Sequence, residues 1–261
     1  MTAARDRLVR ELADFAHGVL DETDALALRH FESGVVASRK LDRTLVTVAD
    51  TEVERVIRDR ITGRFPDHGV MGEEFGADAD GAATGWIIDP IDATNNFVRG
   101  IPVFATLLAC RIDGELVLGV VSAPAMGERW WAAASGGAWR RRASGERRIG
   151  VSSVSSLEDA QLLYGRALSI DGRVAQATRA TWRDRGFGDF WGHMLVAGGS
   201  AEAMVEDGVA PWDMAAPYMV VTAAGGRMTN LEGQPSWTDG RLLASNGLVH
   251  DQLLALLRAP A

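Results

Sequence analysis

The stretch Trp86-Ile87-Ile88-Asp89-Pro90-Ile91-Asp92-Ala93-Thr94-Asn95-Asn96-Phe97 constrains this chain more than any other. It begins as an apolar run of strand length and stops at two aspartates three positions apart, around a proline. Taken singly these residues are ordinary: Asp-Pro opens turns, and an aspartate capping a helix is worth roughly 1 kcal/mol. Together they say more. A buried strand would carry Asp89 to its carboxyl end, where open α/β sheets place ligands. Pro90 stiffens the turn, Asp92 can return to the same point in space, and the Ile91 carbonyl between them is a further hard oxygen. Oxygen donors of this kind suit Mg²⁺ or Mn²⁺ rather than zinc, which favours His and Cys. A helix opening at Ala93 and Thr94 would turn free N–H groups and its positive end toward the aspartates, a phosphate seat beside a metal seat. The Thr94 hydroxyl could then hold a water, provided a carboxylate behind it takes the proton.

The rest of the chain is compatible with that chemistry. At 261 residues and 47% hydrophobic content it can bury a large core, as one α/β unit or as two packed halves. A formal charge of -8 argues against a nucleic-acid partner, because phosphate backbones are bound by clustered positive charge. The single cysteine, Cys110, lies in the apolar run TLLAC and reads as a packing residue in a reduced compartment. The charged N-terminal stretch has neither the apolar core of a signal peptide nor a membrane span, so a cytoplasmic protein without a membrane partner is expected.

Leu8, Leu12, Phe15, Ala16, Val19 and Leu20, then Ala25, Leu26, Leu28 and Phe31, predict one or two amphipathic helices with a break near Asp21. Val53, Val56, Ile57 and Ile61 predict another, ending near Gly63 to Pro66. The segment SRKLDRTLVTVAD, from residue 38, starts as loop, and DADGAATG reads as turn. Two strands meeting at Asp113-Gly114 form a hairpin, and WWAAASGGAWRRRASGERRIGVS reads as strand, turn and strand, with its arginines at a solvated tip. GDFWGHMLVAGGSAEAMVEDG reads as helix then strand, and PWDMAAPYMVVTAAGG as a helix ending at Gly225-Gly226. Residues 1–150 are expected to form an α+β half with most of the metal ligands. Residues 151–261 form an α/β half with Asp213 and the specificity residues, and the two pack as one unit.

Two cations side by side need several anionic ligands. Candidates beyond Asp89 and Asp92 are Glu73 and Glu74 after Val70-Met71-Gly72, Asp50 at the end of TLVTVAD, and Asp213 in Pro-Trp-Asp. The four segments LVTVAD (45–50), GEE (72–74), WIIDPIDATNNF (86–97) and PWDMAAPYMVVTAAGG (211–226), in that order, resemble the inositol monophosphatase superfamily of Mg²⁺-dependent phosphatases. NFVRGIP and WWAAASGGAW are most similar to its actinobacterial histidinol-phosphate phosphatases.

The resemblance implies a five-layer α/β/α/β/α sandwich of the inositol monophosphatase and fructose-1,6-bisphosphatase type, a site for two or three Mg²⁺ (or Mn²⁺) ions, and a homodimer. It implies that Glu73, Asp89 and the Ile91 carbonyl hold a first ion, that Asp89, Asp92 and Asp213 hold a second, and that Glu74 serves a weaker third through water. Asp50 and Thr94 would orient and deprotonate the attacking water, and the amides of Ala93 and Thr94 would seat the phosphate. Glu206, seven residues before Asp213, stands where the family contacts its substrate, and Asp189 and Asn96 are further substrate candidates. Phe190 and Trp191 read as core before they read as pocket.

The chain departs from its relatives at Ala93, where a glycine is usual, and at Asn95, Leu45 and Ala223, where lysine, proline and glutamate are common. Ala93 costs little if its φ is helical and roughly 1 kcal/mol or more if φ is positive. The implied reaction is hydrolysis of the phosphomonoester of a small polar metabolite, histidinol phosphate first. Inositol 1-phosphate or another cyclitol or sugar phosphate is the rival substrate, and an inactive binding subunit the rival outside enzymology. None of the five histidines, His17, His30, His68, His193 and His250, lies in a GxSxG, HExxH or HxxE context, and there is no P-loop or GxGxxG after a strand.

Overall fold

The computed structural model describes residues 3–34, 37–39, 45–78, 82–134, 136–165 and 172–258. Where loop was expected from residue 38, Ser38–Arg39 pairs as a short strand with Leu45–Val46, and residues 40–44 of that loop and 79–81 of the expected turn lie outside the described residues. Helices α1 (Ala3–Ser33), α2 (Val48–Arg64), α3 (Thr94–Val98), α4 (Gly172–Ala180), α5 (Asp189–Ala197), α6 (Pro211–Ala223) and α7 (His250–Arg258) alternate with two sheets in five layers. The α1–α2 pair covers one face of an eight-stranded sheet, and α5 and α6 fill the space between the sheets. The α4–α7 pair closes the far side of a five-stranded sheet. This is the α/β/α/β/α sandwich expected from the motifs, with one apolar cluster under each outer helix pair and a third that spans both sides of the central helices.

The long N-terminal helix runs unbroken past Asp21. Val9, Leu12, Ala16, Val19, Leu20, Thr23 and Ala27 keep a buried stripe at spacings of three and four, and Thr23 satisfies its hydroxyl on the Val19 carbonyl. The segment read as strand, turn and strand is three strands, Glu128–Ala133, Gly137–Arg142 and Gly145–Ile149. Its arginines are not all solvated: Arg140 is buried, lies over the Trp130 ring and pairs with Glu128 at 2.8 Å, because the strand alternation turns it inward. Cys110 is wholly buried, and burial pushes its thiol up to about 12, so it packs and stays protonated. Among the described residues no helix is long and apolar enough to cross a membrane.

The large sheet is antiparallel except where Gly69–Gly72 runs beside Thr84–Asp92. The rule that brings ligands to the end of a parallel sheet therefore does not explain the site. A bulge does. Asp89 pairs with Leu107 and Asp92 with Ala105, three residues against two. In a regular strand, residues three apart point to opposite faces; one extra residue in the ladder turns both aspartates to the same place.

Candidate active site

One oxygen from each of Asp89, Asp92 and Asp213 lies within 4.8 Å of the others. Asp89 and Asp92 come from the bulged strand end, and Asp213 from the first turn of α6, where Pro211 opens the helix and the Ala210 N–H donates to Asp213 Oδ2 at 2.8 Å. The Ile91 N–H donates to Asp89 Oδ1 at 3.0 Å, and the Phe190 N–H at the head of α5 donates to Asp92 Oδ2 at 2.7 Å. Burial, then the charges of Glu73, Asp92 and Asp213, hold Asp89 well above the usual carboxylate range. Burial, then Asp189 and Asp213, do the same to Asp92, and burial carries Asp213 to about 7. Two buried carboxylates and a half-buried third pressed together this way are a donor set that fits a hard divalent cation, which would remove the repulsion and take up the lone pairs.

Glu73 and Glu74 follow the strand Gly69–Gly72, with the Glu73 N–H on the Ile88 carbonyl at 3.3 Å. Glu73 bears electrostatically on Asp50, Asp89 and Asp213, although it stands outside the tight trio. The turn is gripped from beneath by a residue that sequence reasoning missed. Glu54 of α2, fully buried, accepts the N–H groups of Glu74 at 2.7 Å and Phe75 at 3.2 Å, and Arg58 donates to it at 2.7 Å. A Cβ on Gly72 would stand 2.1 Å from Glu54 Oε1, which explains the glycine of GEE. A buried carboxylate with an arginine four residues on was the available signal, but on a helix that pattern reads as a surface pair.

Asp50 sits at the third position of α2, where its Oδ2 accepts both the N–H and the hydroxyl of Thr47, at 2.8 and 2.6 Å. That leaves Oδ1 toward Thr94, whose hydroxyl is 3.5 Å away while donating to the Ile91 carbonyl at 2.9 Å. The two residues named as a pair from the sequence are thus neighbours, and the same carbonyl named as a metal oxygen holds the hydroxyl here.

Ala93 precedes α3 with φ 65° and ψ 43°, in the left-handed region. The costly branch of the sequence expectation applies. Ala93→Gly is expected to raise the free energy of unfolding by about 1 kcal/mol in chemical denaturation, less whatever the freer unfolded chain returns.

Beyond the trio opens a cleft of about 450 Å³ lined by Asp213, Asp189, Glu206, Asn95, Asn96 and Trp191, among others. The substrate candidates Glu206, Asp189 and Asn96 therefore line the same cleft as the metal candidate Asp213. Asn96 also donates to the Val103 carbonyl at 2.9 Å, which anchors its side chain. Burial, with Asp189 and Asp213 nearby, pushes Glu206 up to about 9. The two aromatics divide: Trp191 lines the cleft and Phe190 is wholly buried in the central core. A larger hollow of about 770 Å³ lies near Asn230 and Leu257, but two of its charges are already matched, Arg241 to Asp207 and Arg258 to the Leu231 carbonyl. It offers no comparable acidic cluster.

The model of the inositol monophosphatase family matches residues 8–260. A histidinol-phosphatase of Streptomyces coelicolor is 42% identical over 256 residues, covering 93% of this chain and 95% of that one. A histidinol-phosphatase of Mycobacterium tuberculosis is 44% identical over 230 residues, 84% of this chain and 87% of its own. Among solved structures, a Thermotoga maritima IMPase superposes with a TM-score of 0.86 at 32% identity, over 95% of this chain and 96% of that one. Carboxylates from two segments, Asp89 and Asp92 at a bulged strand end and Asp213 at a helix start, and a family match along almost the whole length, lead to one conclusion: the chain belongs to the inositol monophosphatase family and is a phosphatase of phosphate monoesters.

Proposed function

We propose that this enzyme hydrolyses histidinol phosphate, using two Mg²⁺ ions and, more weakly, a third. The observation that carries the reading is the continuity of the carboxylate trio with a cleft whose wall is itself acidic, Glu206 and Asp189 facing the space beside Asp213. An amine-bearing leaving group would draw the buried Glu206, otherwise pushed up to about 9, into its ionised form and so meet complementary charge there, whereas a cyclitol or sugar offers only hydroxyls. The two histidinol-phosphatases at 42% and 44% identity support the same substrate.

In this reading Glu73, Asp89 and the Ile91 carbonyl hold one ion, Asp89, Asp92 and Asp213 the other, and Glu74 contributes through water to a third. Mn²⁺ is the alternative metal. When bound, the ions supply Lewis-acid stabilisation of the phosphoryl oxygens and of the leaving alkoxide, and make water more acidic. Asp50 takes the proton of the Thr94 hydroxyl, whose freed lone pair orients and accepts from the attacking water. For this Thr94 must shift its donation from Ile91 to Asp50, a choice between contacts of 2.9 and 3.5 Å. The amides of Ala93 and Thr94 seat the phosphate, and Glu206, Asp189 and Asn96 hold the leaving group. The proposal includes a homodimer working in the cytoplasm.

The test is phosphate release with Mg²⁺ from histidinol phosphate, inositol 1-phosphate and fructose 1,6-bisphosphate. A kcat/KM preference of about a hundredfold for histidinol phosphate, about 2.7 kcal/mol, is expected. Equal turnover of inositol 1-phosphate would remove the substrate assignment, and no release from any ester would favour an inactive binding subunit.

A further inference from the structure

Behind the cleft two buried polar groups face each other without a hydrogen bond. His193, in the second turn of α5, is wholly buried with neither ring nitrogen bonded among the described residues, and Glu206 Oε2 is likewise unbonded. His193 Nε2 stands 4.0 Å from that oxygen. The backbone amide of Asp189 is near enough to the Glu206 carboxylate to favour its charged form, and Glu206 Oε1 lies where a Cβ on Gly165 would come within 1.8 Å, so glycine there leaves it room. Buried polar groups are nearly always paired, and an apolar side chain at position 193 would pack without the mismatch. The pair therefore points to a state of the molecule in which the bond is made.

We propose that His193 is a positioning residue for the leaving-group subsite: when a cationic leaving group enters the cleft, Nε2–H donates to Glu206 Oε2 and holds that carboxylate, ionised, against the cation. The inference rests on the substrate reading above. Its geometry is set by α5, which places Asp189 and His193 one turn apart on a single face, so that the amide of one and the imidazole of the other face Glu206. The next amide along, that of Phe190, holds Asp92. One rigid helix thereby sets the distance between the leaving-group carboxylate and the metal carboxylates. An imidazole suits this task where lysine or arginine would not. Burial keeps His193 neutral, its pKa pushed down to about 4, so it donates a hydrogen bond without cancelling the negative charge that Glu206 takes on when the cation arrives.

The readout is selectivity: kcat/KM for histidinol phosphate divided by kcat/KM for glycerol 2-phosphate, whose leaving group is uncharged. His193→Leu is expected to lower this ratio at least tenfold, mainly through KM for histidinol phosphate, and His193→Gln, which keeps a donor, to restore most of it. In a Glu206→Gln background the His193→Leu change should alter the ratio less than twofold. A parallel loss on both esters, or an unchanged ratio, would overturn the assignment of His193 while leaving the substrate reading intact. A wild-type enzyme with no preference for the cationic ester would overturn both. If His193→Leu does not fold, a crystal structure of the wild type with Mg²⁺ and L-histidinol decides: Nε2 and Oε2 within about 3.2 Å is expected, and a gap still near 4 Å refutes the proposal.

Discussion

Asp213→Asn is expected to lower Mg²⁺-dependent phosphate release by about a thousandfold or more, and at the same time to raise the melting temperature of the metal-free protein. The two effects have one cause. Asp213 shares a buried site with Asp89 and Asp92, all three within 4.8 Å, so in the absence of a cation each charge is repelled by the others. Asparagine has nearly the same shape and can still accept the Ala210 N–H that Asp213 accepts at 2.8 Å. The helix start is therefore kept while one charge leaves. With metal the balance reverses, because a lost anionic ligand weakens an ion worth several kcal/mol in the transition state, and about 4 kcal/mol is a thousandfold in rate. Phosphate release and calorimetry on the same preparation check both halves. A variant as active as the parent would remove Asp213 from the metal site, and a variant that is inactive and also melts lower in the metal-free state would indicate a folding defect instead.

Without divalent cation, the stability of the protein is expected to fall as pH rises from about 6.5 to about 9, with Mg²⁺ cancelling most of the loss. Asp213 titrates near 7 and Glu206 near 9 in the folded protein, and Asp89 and Asp92 are also held well up, whereas all titrate near 4 when unfolded. Over that window the folded state binds more protons than the unfolded one, so stability declines with pH. The window starts at 6.5 for a reason. His17, His193 and His250 are pushed down to about 4 by burial, and between 4 and 6.5 their effect has the opposite sign, since the unfolded chain then binds the extra protons. Well above 6.5 they are neutral in both states and the carboxylates dominate, joined near the top of the window by Cys110, whose buried thiol stays protonated where an unfolded one ionises. Mg²⁺ replaces the protons at the trio, so its stabilising effect grows with pH, while the share due to Glu206 should persist. A drop of about 5 °C or more in melting temperature from pH 6.5 to 9 is expected. A flat profile without metal would mean that the carboxylates are far better solvated than their burial implies.

Some of this was written in the order of the residues. Asp89, Asp92 and Asp213 stand out because an aspartate ending an apolar run, or heading a helix after proline, is visible in any linear reading. Thr94 followed from the same stretch as Asp89 and Asp92, Glu73 and Asp50 were named beside Asp213 as further carboxylates for a two-ion site, and the structure brings Thr94 and Asp50 to 3.5 Å. Glu54 and His193 were hidden for different reasons. The first looks like half of an exposed i,i+4 pair with Arg58, and the second like a core histidine, because what distinguishes each is burial against a distant segment.

The sequence by itself determined the kinds of donor present, the hard oxygens that suit Mg²⁺, the strands and helices that carry them, and the family to which the chain belongs. It could not determine that Asp89 and Asp92 face the same way, since their spacing alone puts them on opposite sides of a strand; the bulge opposite Leu107 and Ala105 decided that. Nor could it tell which way Ala93 turns, or that one helix spans from Asp92 to Glu206. Those outcomes depend on contacts between separate segments, from neighbouring strands at the bulge to Asp92 and Phe190, 98 positions apart, and local spacing carries no information about which other backbone will meet a given side chain.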